Sequence, residues 1–268
     1  MENLNSKYFM ELALLQATKV LGQTKKNPAV GCVIVKDGSL VSAGHTGLHG
    51  VPHAEYNAIK LGKNNVKNSS LYVTLEPCSN YGKTPPCTKL IIKKKIKKVF
   101  FSIKDPDLRS YNKSINKFKN NNISVEFDVN KSKINHFYRS YIKYKNNSLP
   151  FVTCKLAVSK DFYTINKKNK WITNKFSRGR VHIMRSQHDC LITGVGTILK
   201  DNPTLDCRIK GLENRSPTRI ILDSNLKIPM TSNILNTSRA YKTIIFYNKD
   251  DKRKIKSLKK KISNLLKV

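Results

Sequence analysis

The chain has 268 residues, enough for two domains that each bury a core, and Lys plus Arg outnumber Asp plus Glu by 51 to 17, a net charge of +34. No run of about 18 apolar residues occurs and residues 1–5 carry no signal-type segment, so the expectation is a cytoplasmic protein with no membrane partner. The basic residues are mostly lysines scattered among asparagines, as in 113–122; they read as a solvated face that attracts phosphorylated small molecules rather than as a nucleic-acid groove.

In chain order, Ser6 is placed as the cap of a first helix with Tyr8, Leu12, Leu15 and Val20 on one side. The apolar run 30–35 reads as a buried strand, and Asp37-Gly38 as the hairpin turn into a second strand at 40–43. A helix is expected from near His53 through Ala58, Ile59 and Leu61. Leu71–Leu75 is a strand, 76–86 a loop, and Cys87 the start of a short helix before a strand at 99–103. The alternation continues through 124–127, which makes a three-layer α/β unit.

The pattern breaks at Asn146–Pro150, giving expected domains of 1–147 and 148–268. In the second, strands are expected at 151–158, 189–193, 219–223 and 243–247, with a helix at 176–185. A final helix would carry Ile255, Leu258, Ile262 and Leu265 on one face. Without a secretion signal the six cysteines read as thiols and metal ligands, with Cys32, Cys154 and Cys190 in apolar runs as core residues. Trp171, the only tryptophan, reads by itself as core. Gly194-Val195-Gly196-Thr197 is either a phosphate-holding strand end or only a tight turn.

Chemistry gathers in His53-Ala54-Glu55, Pro77-Cys78 and Thr84-Pro85-Pro86-Cys87. A histidine and two thiolates are three ligands for a tetrahedral Zn²⁺, and a glutamate two residues after the histidine can move protons for a water in the fourth position. Nucleobase deaminases carry H-x-E with P-C-x-x-C; here eight residues, 79–86, separate the cysteines. Two other readings stand beside this one. His53 caps a helix and the cysteines are unrelated, or a nucleic-acid-binding protein holds a structural zinc, for which no fourth protein ligand is evident.

The stretches Asn27–Val35 and Thr74–Cys87 closely resemble the bifunctional deaminase/reductase of riboflavin biosynthesis (RibD type). The segments 151–157, 171–173, 177–178, 181–186, 194–197 and 222–224 follow the reductase half of the same family in order. The resemblance implies a cytidine-deaminase-like three-layer α/β domain followed by a dihydrofolate-reductase-like α/β domain. It implies zinc on His53, Cys78 and Cys87, Glu55 as proton shuttle, and Asn27 and Lys83 as substrate contacts. For the second domain it implies NADPH lined by Ala157, Trp171, Thr197, Asp201 and Ser224, and substrate held by Asn169, Arg185, Leu205 and Arg208. The implied chemistry is deamination of a phosphoribosylated pyrimidine, 2,5-diamino-6-(5-phosphoribosylamino)pyrimidin-4-one, then reduction to 5-amino-6-(5-phosphoribitylamino)uracil. Homo-oligomerisation is left open.

The chain departs from the family pattern at Asn80 and Thr46, where many members have histidine, and at Lys160 and Phe162, where the family continues Ser-Leu-Asp-Gly. Family members also run on for roughly half a domain beyond the position of Val268, so the reductase domain is expected to be C-terminally truncated. A deaminase with an inactive second domain is the alternative.

Overall fold

The computed structural model describes residues 2–82, 84–164, 171–262 and 264–268, which form two units, Met1–Cys154 and Lys155–Val268. In the first, α1 (Glu2–Thr18), β1 (Gly31–Lys36), β2 (Ser39–His45), α2 (Ala54–Gly62), β3 (Ser70–Leu75) and α3 (Cys87–Lys93) come in turn. They are followed by β4 (Lys98–Ile103), α4 (Lys113–Lys119), β5 (Ser124–Glu126) and α5 (Lys131–Asn147). The sheet order is β2-β1-β3-β4-β5; β1 is antiparallel to both neighbours, and β3, β4 and β5 are parallel. Asp37 and Gly38 both have positive φ, 50° and 75°, as a twist-matched two-residue hairpin requires.

Two glycines let helices close on opposite faces of this sheet. A Cβ on Gly31 would stand 1.8 Å from the Ala13 carbonyl oxygen of α1, and one on Gly44 would stand 2.4 Å from the Ala58 nitrogen of α2. On the α1 face, Phe9, Tyr72 and Phe100 pack with ring centroids 5.3 and 4.4 Å apart. Helix α5 joins that face: the Tyr138 hydroxyl donates to Ala29 O at 2.9 Å and meets Thr74 Oγ1 at 2.6 Å, and Thr74 accepts the Gly31 N–H at 3.1 Å. Helix α2 covers the other face with α3 and α4. The result is three layers, with both ends of the metal-binding motif on the α2 side.

The first helix differs from its expected form. It begins at Glu2, so Ser6 is a buried residue within it rather than its cap. Its buried face is Met10, Ala13, Leu14, Ala17, whereas Tyr8 and Leu15 are each 58% exposed. Leu12, packed against the core, and Val20, buried just beyond the helix, lie as expected; close approach to Gly31 needs small residues, so a stripe read from large apolar side chains misplaced Tyr8 and Leu15. Leu61 is likewise exposed at the end of α2.

The second unit contains α6 (Lys175–Ser186), β6 (Cys190–Gly194), α7 (Val195–Asp201), β7 (Thr218–Leu222), α8 (Asn233–Asn236), β8 (Thr243–Tyr247), α9 (Lys252–Lys259) and β9 (Asn264–Lys267). Its sheet, β6-β7-β8-β9, is parallel throughout, and Ile198, Ile221, Ile228, Ile234, Ile245 and Leu258 fill the core. Asn174 caps α6 by accepting the Ser177 N–H, and Asp251 caps α9 by accepting the Lys254 N–H.

Three expectations for this half are corrected. Residues 151–158 form no strand, and Val152 and Leu156 are exposed, because an apolar run becomes a strand only where its backbone groups find ladder partners. The final helix stops at Lys259, and Leu265 lies on β9 opposite Ile245. Cys154, Cys190 and Trp171 are exposed rather than core, and the Arg178 guanidinium lies 4.6 Å from the Trp171 ring.

Candidate functional site

His53 immediately precedes α2 in extended conformation, and Glu55 follows in the first turn with only 4% exposure. Cys78 comes from the loop after β3, and Cys87 is the first residue of α3. His53 Nδ1 lies 3.5 Å from Cys78 Sγ and 3.3 Å from Cys87 Sγ, and the three donor atoms all lie within 4.8 Å of one another. With a nitrogen at 2.0–2.1 Å and a sulfur at about 2.3 Å from zinc, a tetrahedral N···S edge is roughly 3.6 Å. The triangle thus fits zinc, with Nδ1 and the two sulfurs as the atoms that would hold it. Further hydrogen bonds set the loop: Cys87 N–H donates to Cys78 Sγ at 3.3 Å and Thr88 N–H to Cys78 O at 3.2 Å.

The electrostatics agree with this fit. The hydrogen bond from Cys87, helped by His53, holds the Cys78 thiol well below its usual value, whereas the bond to Cys78 and burial push the Cys87 thiol up. His53 is raised to about 9, chiefly by its bond to Cys78, and burial raises Glu55 to about 7. Half-buried negative charge beside a buried carboxyl is what a divalent cation neutralises.

Around this centre, the Asn27 side-chain amide donates to Gly50 O at 3.0 Å. Thr46, at a position where the resembled family often has histidine, is buried and accepts the Val30 N–H at 2.9 Å. Asn80 Oδ1 accepts from Ser110 Oγ at 2.8 Å. Lys83 and Asn169 lie outside the described residues. Glu76, to which sequence reasoning gave no role, is 3% exposed and accepts hydrogen bonds from residues 105, 112 and 114; its place directly before Pro77-Cys78 was the available signal.

In the second unit Arg185, Leu205 and Arg208 come together. Arg185 Nη1 donates to Asp206 O at 2.9 Å, and Arg208 Nη1 donates to Asp206 Oδ1 at 2.8 Å and Thr204 Oγ1 at 2.6 Å. His182 Nδ1 accepts the Arg208 N–H at 3.1 Å, and Leu205 between the arginines has a left-handed φ of 56°. Two guanidinium groups in one cluster suit a phosphate. Arg219, which sequence reasoning also missed, is fully buried and donates to the carbonyls of Thr204, Ile234 and Tyr241 and to the hydroxyls of Thr237 and Thr243. It shares a sheet face with Ile221, so it interrupts an apolar stripe.

Asp201 is the last residue of α7, whereas Thr197, in its first turn, and Ser224, just after β7, are exposed and follow the paired ends Gly194 and Leu222, so they sit at the carboxyl ends of adjacent parallel strands. That is the crevice where open α/β sheets take ligands. A Cβ on Gly194 or Gly196 would meet nothing within 4 Å, so the turn is open to a phosphate. Ala157 and Trp171 lie outside the sheet strands. No helix among the described residues is long and apolar enough to cross a membrane.

Residues 4–103 match the family model of the cytidine and deoxycytidylate deaminase zinc-binding region, and residues 150–268 match that of the RibD C-terminal domain. Riboflavin biosynthesis protein RibD of Aquifex aeolicus is 38% identical over 257 residues, 95% of this chain and 71% of that protein. The RibD protein of Bacillus amyloliquefaciens is 38% identical over 241 residues, 89% of this chain and 64% of that protein. Among solved structures, a diaminohydroxyphosphoribosylaminopyrimidine deaminase/5-amino-6-(5-phosphoribosylamino)uracil reductase of Thermotoga maritima matches with a TM-score of 0.85 at 33% identity. That match covers 100% of this chain and 81% of the other.

Proposed function

Because the chain belongs to the RibD family of riboflavin biosynthesis proteins, we propose that it deaminates 2,5-diamino-6-(5-phosphoribosylamino)pyrimidin-4-one and then reduces the product's ribosyl chain with NADPH. The observation that carries this reading is the convergence of His53 Nδ1 and the sulfurs of Cys78 and Cys87 beside a buried Glu55.

Zinc held by His53, Cys78 and Cys87 would supply the Lewis acid that makes a water nucleophilic near neutral pH. Glu55 does the proton work: it is the buried carboxyl two residues after His53, placed to exchange protons with that water. Its carboxylate takes a proton from the attacking water as the hydroxyl adds to the carbon bearing the amino group and gives it to the adjacent ring nitrogen; Glu55 then carries the hydroxyl's remaining proton to the amino nitrogen. The C–N bond breaks, ammonia leaves and a carbonyl remains. Asn27, from the loop before β1, orients the pyrimidine, and Lys83 meets the ribose phosphate.

In the second unit NADPH supplies, when bound, the hydride that turns the ribosyl chain into a ribityl chain. Thr197 and Ser224 take the cofactor at the carboxyl ends of β6 and β7, with Asp201, Ala157 and Trp171 completing its site. Arg185 and Arg208 take the substrate phosphate, with Leu205 and Asn169 beside them. The charge of +34 favours encounter with such anionic substrates.

The test is a coupled assay with the phosphoribosylated diaminopyrimidine, with and without NADPH. Ammonia release in both samples and NADPH oxidation in the second are expected. Ammonia release without NADPH oxidation would leave a deaminase alone, and no ammonia at all would overturn the reading.

A further inference from the structure

We infer that Glu76 is a positioning residue for the metal centre, fixing Cys78 by tying its loop to the segment that leads into α4; this rests on the zinc-site reading above. Glu76 directly follows β3 and stands two residues before Cys78. Both of its carboxylate oxygens are used. Oε2 accepts the N–H groups of Asp105 and Asn112 at 3.3 and 2.9 Å, and Oε1 accepts the N–H and Oγ–H of Ser114 at 3.1 and 2.8 Å.

The site is buried, and four donors aimed at one side chain need an acceptor-only group with two oxygens. A glutamine would turn its NH₂ against N–H groups and leave donors unpaired in a dry place, whereas a carboxylate satisfies them all. The carboxylate also stands in for a helix cap. Asn112, which precedes α4, makes no side-chain cap bond, and Glu76 takes the N–H groups there instead.

The same segment grips the loop at two further points. Lys117 Nζ donates to Ser79 O at 2.6 Å, and Ser110 Oγ donates to Asn80 Oδ1 at 2.8 Å. Cys78 is thus flanked on both sides by residues held from 105–117, and its own carbonyl is held by Thr88. Glu76 makes the most of these bonds, so it sets where the Cys78 sulfur stands relative to His53 and Cys87. Its carboxylate, engaged by four donors, has no part in the proton transfers assigned to Glu55.

Zinc affinity separates positioning from general stability. Chelator competition on the purified full chain should show Glu76→Gln binding zinc roughly 10- to 100-fold more weakly than wild type, as for other residues that orient metal ligands. Ile134→Val, a core change in the same unit, serves as the stability control and should stay within about twofold of wild type in affinity. Should Glu76→Gln fail to fold, Ser114→Ala, which removes one donor, should give a smaller loss in the same direction. The inference is overturned if Glu76→Gln binds zinc as tightly as wild type, if Ile134→Val loses as much, or if Ser114→Ala stands in for it and loses nothing. Wild-type protein that takes up no zinc overturns the metal-site reading itself, and the inference with it.

Discussion

The Nδ1 atom of His53 stands 3.3 Å from the sulfur of Cys87, thirty-four positions later, because the residue before α2 and the first residue of α3 are brought to one corner of the sheet. Cys78 completes the triangle from the loop between them. Replacing Cys87 by serine removes a soft ligand from this closed geometry. Metal analysis should then fall from one zinc per chain in wild type to well below one, with deaminase activity lost in proportion. Full zinc occupancy in Cys87→Ser would contradict the ligand set.

Gly44 controls how closely α2 lies on the sheet. An added Cβ would meet the Ala58 nitrogen at 2.4 Å and the Ala54 oxygen at 2.6 Å, both backbone atoms that cannot swing aside. Gly44→Ala should cost about 1–3 kcal/mol and push out the helix start that carries His53 and Glu55. Thermal melting and zinc titration of the variant should both shift; an unchanged melting temperature would show that α2 moves freely.

Asp107 ties a loop of the first unit to α5. Its bond to Arg109, with Lys145 second, holds its carboxyl well below the usual carboxylate range. A folded pKa below the unfolded one means that its contribution is present above the usual range and is lost as pH falls toward the folded value. Melting curves of wild type and Asp107→Asn should therefore differ most at neutral pH and converge as pH drops below about 4. A gap independent of pH would contradict this.

Among the described residues, Arg219 is the largest fully buried side chain. Replacing it with methionine keeps much of the volume and leaves the carbonyls of Thr204 and Ile234 without their side-chain donor, while Tyr241 O keeps the Thr243 hydroxyl. A loss of roughly 2 kcal/mol or more is expected, at about 1 kcal/mol or more per orphaned acceptor. Trp171, the only tryptophan, lies in this unit, so urea unfolding followed by its fluorescence reads the effect directly. A loss of less than about 1 kcal/mol would show that water replaces the guanidinium.

What was legible in the sequence is what depends on short spacing. His53 and Glu55 two residues apart, Pro77 beside Cys78, and the Asp37-Gly38 turn each state their geometry locally, and the alternation of helix and strand named the layers of the first unit. The ring nitrogen that faces the sulfurs was not legible, because rotamer and ring direction are set by the packed site. Glu76 escaped because its donors come from positions twenty-nine to thirty-eight residues away. Arg219 escaped because a lone arginine near the start of an apolar strand reads as a solvated edge until its five acceptors are in place. The strand expected at 151–158 failed for the converse reason: a pattern names a face but supplies no partner. Leu265 kept helical spacing with Ile262 yet pairs with β8, since Asn264–Lys267 finds an open strand edge there.

The most direct test of the central claim is Glu55→Gln, assayed for both zinc content and deamination. The amide cannot carry the proton between water and amine but leaves His53, Cys78 and Cys87 in place. The account predicts full zinc occupancy with ammonia release slowed roughly 10²- to 10⁴-fold. A variant that holds its zinc and deaminates at the wild-type rate would contradict it.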